Sequence, residues 1–469
     1  MSQKSETPVL ILALLITVGL LGGSWWWFNR VSNSGTENPS EPKIVVDSPT
    51  VVNSLISQGD KILIAEDDNS YKQRAIASIQ QGDYSSAIAE LETSLRNEQN
   101  DPEARIYLNN ALIGSNPAYV LVVSVPISSN IKVAKELLRG AAQAQHKINQ
   151  DAGIQGKPIK IVIADDGNDG EQAKLLAQTF GQDSTVLGVV GHFSSNVTLE
   201  AAKEYERAGL VLISATSTSV ELSGASKYLF RVVPSDAYAG NALVKYFFQI
   251  LKGKRAAIVY TSESSYSDSL RGVFKRELLS SGGEIVGESD FAAEDFHIND
   301  AIQKARDAEA EAIVLFPSSA FPRTISDAQA MIQINNGSLP ILGGDSLYSS
   351  DTLKNTGQTS KGVVLAVPWH ILSYPDSTFP KEADEMWRAD VNWRTALAYD
   401  ATLTFAEAMK IDSTREGIQQ TLDSDNFSLE GASGKVKFIP SGDRDKAMQL
   451  VQIQEGNRSS YGVDFVPIP

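Results

Sequence analysis

The sequence predicts an α/β protein of two doubly wound lobes in tandem, preceded by a membrane-spanning apolar segment and a short run of helices. From Ala118 onward, short β-branched runs alternate with amphipathic stretches, which is the signature of parallel sheets covered by helices on both faces. The alternation restarts near Ser235, where LKGKR leads into the strand AAIVY, so there are two such units. A chain of 469 residues also exceeds what one compact core holds.

Val9 to Phe28, VLILALLITVGLLGGSWWWF, is an uncharged apolar run of about the length that crosses a bilayer. No small-x-small site marks it as a cleavable leader, and Trp25, Trp26 and Trp27 suit an interfacial belt. The expectation is an uncleaved anchor over residues 1–28. The stretch 29–55 is rich in Ser, Asn, Pro, Gly and Glu without apolar period at its start, and predicts a flexible tether. Residues 56–115 then show helical spacing through Ala75, Ile79, Tyr84, Ala87, Ile88, Leu91 and Leu95. Within them GDYSSAIAELETSL resembles a tetratricopeptide repeat, with Gly82 at the inter-helix turn, and Asp101-Pro102 opens a further helix. One such repeat cannot bury its own face, so these helices either pack on the next domain or dock a partner.

The two lobes follow. Strand-like YVLVVSV, IKIVIADD, VLGVVG and LVLISAT alternate with helices through Ala134 to Asn149, from Gln172 and from Leu199. After the restart come AAIVY, a helix from Ser267, GGEIVGESDF, EAIVLF and LPILGGD. Lobe 1 is expected over about 118–235 and 369–437, and lobe 2 over about 236–368 and 438–469, with a cleft at the carboxyl ends of the strands.

Composition excludes several kinds of chemistry. A net charge of −16 repels phosphate backbones, so nucleic acid is not an expected partner. The absence of cysteine removes disulfides, thiol catalysis, thiolate metal sites and lipoprotein anchoring. No phosphate-binding glycine loop, dinucleotide fingerprint or nucleophile elbow occurs, and His146, His192, His297 and His370 are scattered. No enzyme, cofactor or metal site is therefore expected. The Asp165-Asp166 pair ends a strand and reads as a turn cap.

What remains are polar residues where strands end and helices begin, where hydroxyls and backbone N–H groups converge on a small anion. VLGVVG runs into His192-Phe193-Ser194-Ser195-Asn196, LVLISA into Thr216-Ser217-Thr218, AAIVY into a loop carrying Tyr266, and ILGG into Asp345. Singly, Ser195 and Thr218 also suit N-caps, Asp345 a turn and Tyr266 a core position. Together they offer donors for a carboxylate and one carboxylate for an ammonium.

These phrases, with RGAAQAQHKINQDAGIQGKPIKIVIADD, GHFSSNVT, FRVVPSD, ILGGDSL, LAYDATLTFAEAM and GKVKFIPSGD, resemble the leucine/isoleucine/valine-binding family of type I periplasmic binding proteins. The resemblance covers about Tyr119 to the C-terminus and implies two Rossmann-like lobes that close on a small amino acid and deliver it to an ABC importer. It implies that Ser195 holds the ligand carboxylate, that Thr216 contributes backbone, and that Thr218 reaches both carboxylate and ammonium. It further implies that Tyr266 closes from the second lobe and that Asp345 partners the ammonium. Where the family has a Gly-Pro loop beside the side-chain pocket, this chain reads SVPISSN near Pro126. The implied placement is extracytoplasmic, with an ABC permease as partner. Two rivals stand beside it: a membrane-anchored sensing module signalling to a partner, and a scaffold that binds through its tetratricopeptide-like helices.

Overall fold

In the computed structural model, residues 49–469 are described. The expected anchor and most of the tether, over 1–48, lie outside the described residues. Among the described residues, no helix is long and apolar enough to cross a membrane.

Two sheets organise the chain. The first is six-stranded and contains β1 (Ile56–Ser57), β2 (Tyr119–Val125), β3 (Ile159–Asp165), β4 (Val186–Val190), β5 (Val211–Ser214) and β6 (Leu229–Arg231), in the order β1-β3-β2-β4-β5-β6. The second is seven-stranded. Its strands β7 (Arg255–Tyr260), β8 (Glu284–Asp290), β9 (Ala312–Phe316), β10 (Ile341–Gly343) and β11 (Val364–Val367) are parallel. A short hairpin, β12 (Leu429–Gly431) and β13 (Gly434–Val436), precedes the antiparallel edge strands β14 (Gln449–Glu455) and β15 (Val463–Ile468), which complete the order β15-β14-β11-β10-β9-β7-β8.

Both faces of the first sheet are covered, which is why its strands read as unbroken apolar runs. Val122, Val162 and Val189 pack with Leu176, Val197 and Ala201 on one face. Leu121, Val123, Ile161 and Ile163 meet Leu137, Leu138, Ala141 and Phe405 on the other. Gly140 lets the helix Ile131–Gln150 close on Trp393–Ile411, since a Cβ there would lie 2.1 Å from the Thr395 carbonyl oxygen. The chain passes between lobes after β6, after β11 and before β14. Buried arginines tie the first and last passages together: Arg231 Nε meets Asp443 Oδ1 at 2.6 Å, and Arg444 Nη1 donates to the Val232 carbonyl at 3.0 Å.

The last residues read as a tether are not loop: they hold the helix Pro49–Ser54, followed by β1, which pairs antiparallel with β3. Where β1 stops, the Asn110 amide continues the ladder: Ile161 N donates to Oδ1 at 3.1 Å and Nδ2 donates to Ile161 O at 2.8 Å. An edge that would template aggregation is thereby covered. Helices Ser70–Gln80 and Tyr84–Asn97 turn at Gly82, whose φ of +75° suits glycine, and bury Ala87, Leu91 and Ser94. With Pro102–Ile113 they form a layer fixed to lobe 1 through Lys135–Asp67 at 2.7 Å and Arg139 Nε–Asn100 Oδ1 at 2.6 Å. Inside the layer the Lys72 ammonium sits fully buried between Asp101 and Glu103.

Three helices start earlier than apolar spacing suggests. They begin at Gly170, Ser195 and Ser265 rather than Gln172, Leu199 and Ser267. Their first turns are polar and carry no period, and caps such as Asp169 and Ser264 set the start instead. Ser195 is therefore the first residue of a helix and not a loop residue.

Candidate functional site

The strand order reverses between β2 and β4 in the first sheet and between β7 and β9 in the second, and open α/β sheets take ligands at such crevices. Ser195 follows β4 and Thr216 and Thr218 follow β5, while Tyr266 follows β7 and Asp345 follows β10. The two edges meet. Asn196 Oδ1 accepts from Ser265 N at 3.0 Å and Nδ2 donates to Glu263 O at 3.2 Å; Val220 N donates to Ser269 Oγ at 3.0 Å, and Asn130 Nδ2 to Ser319 O at 3.0 Å. The lobes are thus closed on each other, and a cavity of about 400 Å³ opens beside Asn196, Val220 and Ser269.

On the lobe 1 side, the loop before Ser195 is braced from behind. His192 Nδ1 lies 2.7 Å from Asp166 Oδ2 and its Nε2 lies 3.2 Å from the Tyr205 hydroxyl, all buried. Asp166 also accepts from Ser124 Oγ at 3.2 Å and from Asn168 N at 2.9 Å, so the expected acidic cap is present and reaches further than a turn. The His192 carbonyl gathers the hydroxyls of Ser214, Thr216 and Ser217 at 3.2 to 3.3 Å. Thr216 Oγ1 also donates to Phe193 O at 2.8 Å, which commits its hydroxyl to the loop. Ser195 Oγ accepts from Ser219 N at 3.3 Å, which leaves its own proton to donate elsewhere. Ser194 is the N-cap residue of this helix, yet its Oγ caps nothing and has no partner among the described residues; neither has Thr218 Oγ1.

The facing side is anionic. Asp345 is buried at the head of a single 3₁₀ turn, Asp345–Leu347. Burial pushes its carboxyl up to about 6, while the Arg394 charge and the Tyr266 hydroxyl oppose the rise. Tyr266 Oη lies 3.5 Å from Ser346 N and packs where Gly344 has no side chain, since a Cβ there would lie 2.2 Å from the hydroxyl. Burial and then the charges of Asp345 and Asp236 hold the Tyr266 phenol well above its ordinary range, so it stays a neutral donor.

Asp236 and Arg394 were not singled out in the sequence. Asp236 opens the helix that begins lobe 2, and burial pushes its carboxyl up to about 7. The hydroxyls of Ser269 and Thr218 approach it and hold it down somewhat, Asp345 pushes it up, and neither carboxylate oxygen closes a hydrogen bond among the described residues. Its signal was the FRVVPSD phrase, where an acid directly after a serine looks like an ordinary helix start. The five expected residues and these two therefore belong to one neighbourhood. Hydroxyls and a helix N-terminus on one side can receive an anion, and carboxylates on the other can receive a cation. Among the described residues no group of acids and histidines could hold a metal ion.

A family model described as periplasmic binding protein matches residues 122–458, well over half of the chain. The chain belongs to that family. It is a family of solute-binding proteins rather than enzymes, and the two sheets above are its α/β fold. The "Amino acid binding protein" of Pseudomonas aeruginosa is 32% identical over 174 residues, covering 35% of this chain and 46% of that protein. The "Leu/Ile/Val-binding protein" of Escherichia coli is 30% identical over 161 residues, covering 33% of this chain and 43% of the other. The chain thus spans about half the length of the curated relatives it matches. Among solved structures, a branched-chain amino acid transporter substrate binding protein from Streptococcus pneumoniae in complex with isoleucine has a TM-score of 0.65 at 21% identity, covering 75% of this chain and all of the other. A solute binding protein from Rhodopseudomonas palustris in complex with 3,4-dihydroxy benzoic acid has a TM-score of 0.64 at 17% identity, covering 75% of this chain and 96% of the other. Both likenesses concern the fold.

Proposed function

We propose that the protein is an extracytoplasmic receptor that closes around an amino-acid zwitterion and delivers it to an ABC importer. The observation that carries the reading is the set of unsatisfied buried atoms between the lobes. Ser194 Oγ closes no hydrogen bond, and the Thr218 hydroxyl and the Asp236 carboxylate, which approach each other, close none either, with Asp345 near enough for its charge to be felt at Asp236. Charged groups taken out of water need pairing, and a zwitterion supplies both signs at once.

In this reading the α-carboxylate rests on the N-terminus of the helix Ser195–Arg207, with Ser195, Thr218 and the backbone at Thr216 as donors. The ammonium lies between Thr218 and Asp345, with Asp236 as a further anionic partner. Tyr266 covers the ligand from lobe 2, and hinge bending at the three passages opens the cleft. The closed surface is what a membrane permease would recognise. The reading extends to the rest of the chain as an anchor at 1–28, a tether up to the helix at Pro49, tetratricopeptide-like helices to about 115 and the two lobes from 118. The relatives named for amino acids support it, as does the isoleucine-bound neighbour.

Calorimetric titration of the full-length protein with a panel of amino acids tests it. Binding of at least one free amino acid is expected, together with a smaller radius of gyration by X-ray scattering on saturation. Identical scattering curves with and without a bound amino acid would remove the closure mechanism, and no heat with any of them would remove the reading itself.

A further inference from the structure

We infer that the ligand's side chain carries a hydrogen-bond acceptor, an amide or carboxylate oxygen, and that Arg394 receives it at the crossover end of the cleft. The inference rests on the amino-acid reading above and names the class of side chain.

Arg394 is the second residue of the helix Trp393–Ile411, where the chain has just returned from lobe 2 to lobe 1. Asn392 caps this helix by accepting from Arg394 N, and it also donates to Glu136. Arg394 is only 4% exposed. Its Nη1 meets Glu136 Oε2 at 3.3 Å, its Nη2 lies 3.5 Å from Ser319 Oγ of lobe 2, and its carbon stands 4.5 Å from the centre of the Trp393 ring. Its Nε has no acceptor among the described residues. The Trp393 Nε1 beneath it also lacks one.

A guanidinium presents five N–H donors in a planar fork. Here one carboxylate at 3.3 Å and one hydroxyl at the limit of hydrogen bonding leave most of that fork unspent. The group lies close enough to Asp345 for its charge to be felt there, so it borders the place where the ammonium sits in the reading above. Ser319 arrives from the other lobe, and its own Oγ is 3.4 Å from the Ser346 carbonyl, one residue beyond Asp345. Arg394 is thus at the wall where both lobes and the crossover converge. A hydrocarbon side chain directed at that wall would leave Nε buried and unpaired. An oxygen there satisfies it, and a site built around a donor rejects analogues that lack the acceptor.

The test compares near-isosteres on the full-length protein by calorimetry: leucine against asparagine and aspartate, and norleucine against glutamine and glutamate. At least one acceptor-bearing amino acid is expected to bind about tenfold or more tightly than its hydrocarbon counterpart. Arg394→Met should erase that ratio, on top of whatever change its lost charge brings to all ligands alike through Asp345. The amide and carboxylate arms tell which oxygen is read. Equal or tighter binding of leucine and norleucine to the wild type overturns the inference and leaves the amino-acid reading standing. So does a variant that weakens all ligands alike and keeps the ratio. Should the variant not fold, the wild-type ratios decide alone, and silence from every amino acid overturns both the inference and the reading beneath it.

Discussion

The two faces of the cleft are built to opposite standards. On the lobe 1 face, Thr216, Ser217, Ser214 and His192 bond one another behind Ser195, and little is left unsatisfied apart from Ser194 and Thr218. On the lobe 2 face, Asp345 stands close enough to raise the affinity of Asp236 for its proton, and the hydroxyls of Ser269 and Thr218 approach the Asp236 carboxylate without closing a hydrogen bond. A rigid donor array costs little to keep ready, because neutral hydroxyls can satisfy one another. Buried anions cannot do this, so the acidic face holds energy that a cation releases. In the proposed reading the anion site therefore supplies geometry, and the cation site supplies much of the drive to close.

The largest effect expected from this contrast is at Asp345. Asp345→Ala should weaken amino-acid binding by about 2–5 kcal/mol, since it leaves the ammonium buried without its partner. Calorimetry reads the loss directly, and unchanged affinity would take Asp345 out of the site. The matching experiment on the other face is Asp166→Ala. It removes the anchor of His192, and the unfolding free energy should fall by about 3 kcal/mol in a urea titration. A drop of that size on lobe 1 beside a binding loss on lobe 2 would sharpen the division between scaffold and drive, whereas equal effects on both properties at both sites would erase it.

How far these faces could be read from the chain follows the same division. The lobe 1 loops announced themselves because hydroxyls cluster directly after apolar strands, as in LVLISATSTS, and period-two or unbroken runs are strong signals. Ser195 was placed at the right strand end, yet its role as the first helical residue was hidden, because a polar first turn has no apolar spacing to read. Asp236 and Arg394 were illegible for another reason. Each sits at a helix start on a passage between lobes, where an acid or a polar residue is the ordinary choice, and only the folded chain shows that Asp236 faces Asp345 and that Arg394 has an idle donor. The layer built from residues 56–113 shows the same limit. Helical spacing was plain, but nothing local revealed that Asn110 would pair with the backbone of β3.

A smaller effect follows for the ligand-free protein. In the fold the Asp345 carboxyl titrates near 6, against about 4 in an unfolded chain. The folded state therefore holds its proton more tightly, and the stabilisation present below about pH 4 is lost as pH rises through 6. Asp345→Asn keeps the shape and removes the charge. Its melting temperature should match wild type near pH 4 and exceed it above pH 7, by the equivalent of about 3 kcal/mol. A variant less stable than wild type at pH 7 would mean that the carboxylate is already well paired, and the acidic face would lose its claim to stored energy.

The last effect is the pH dependence of binding itself. Asp236 titrates near 7 and Asp345 near 6 before ligand arrives. An ammonium held between them favours their ionised forms and so lowers both values in the complex. Protons are then released on binding, and affinity should rise with pH through the window from about 5 to 7, by at most about tenfold per pH unit for each group. Above that window the curve should flatten until the ligand's own ammonium begins to lose its proton. Calorimetry in two buffers of different ionisation enthalpy counts the protons: a fraction of one to two should leave at pH 6, and Asp345→Asn should reduce that number while keeping the part owed to Asp236. If instead affinity were level between pH 5 and 8 with no proton released, the cation would be meeting groups that were charged and paired all along. The asymmetry between the two faces would then lie in their residue types and not in their energies.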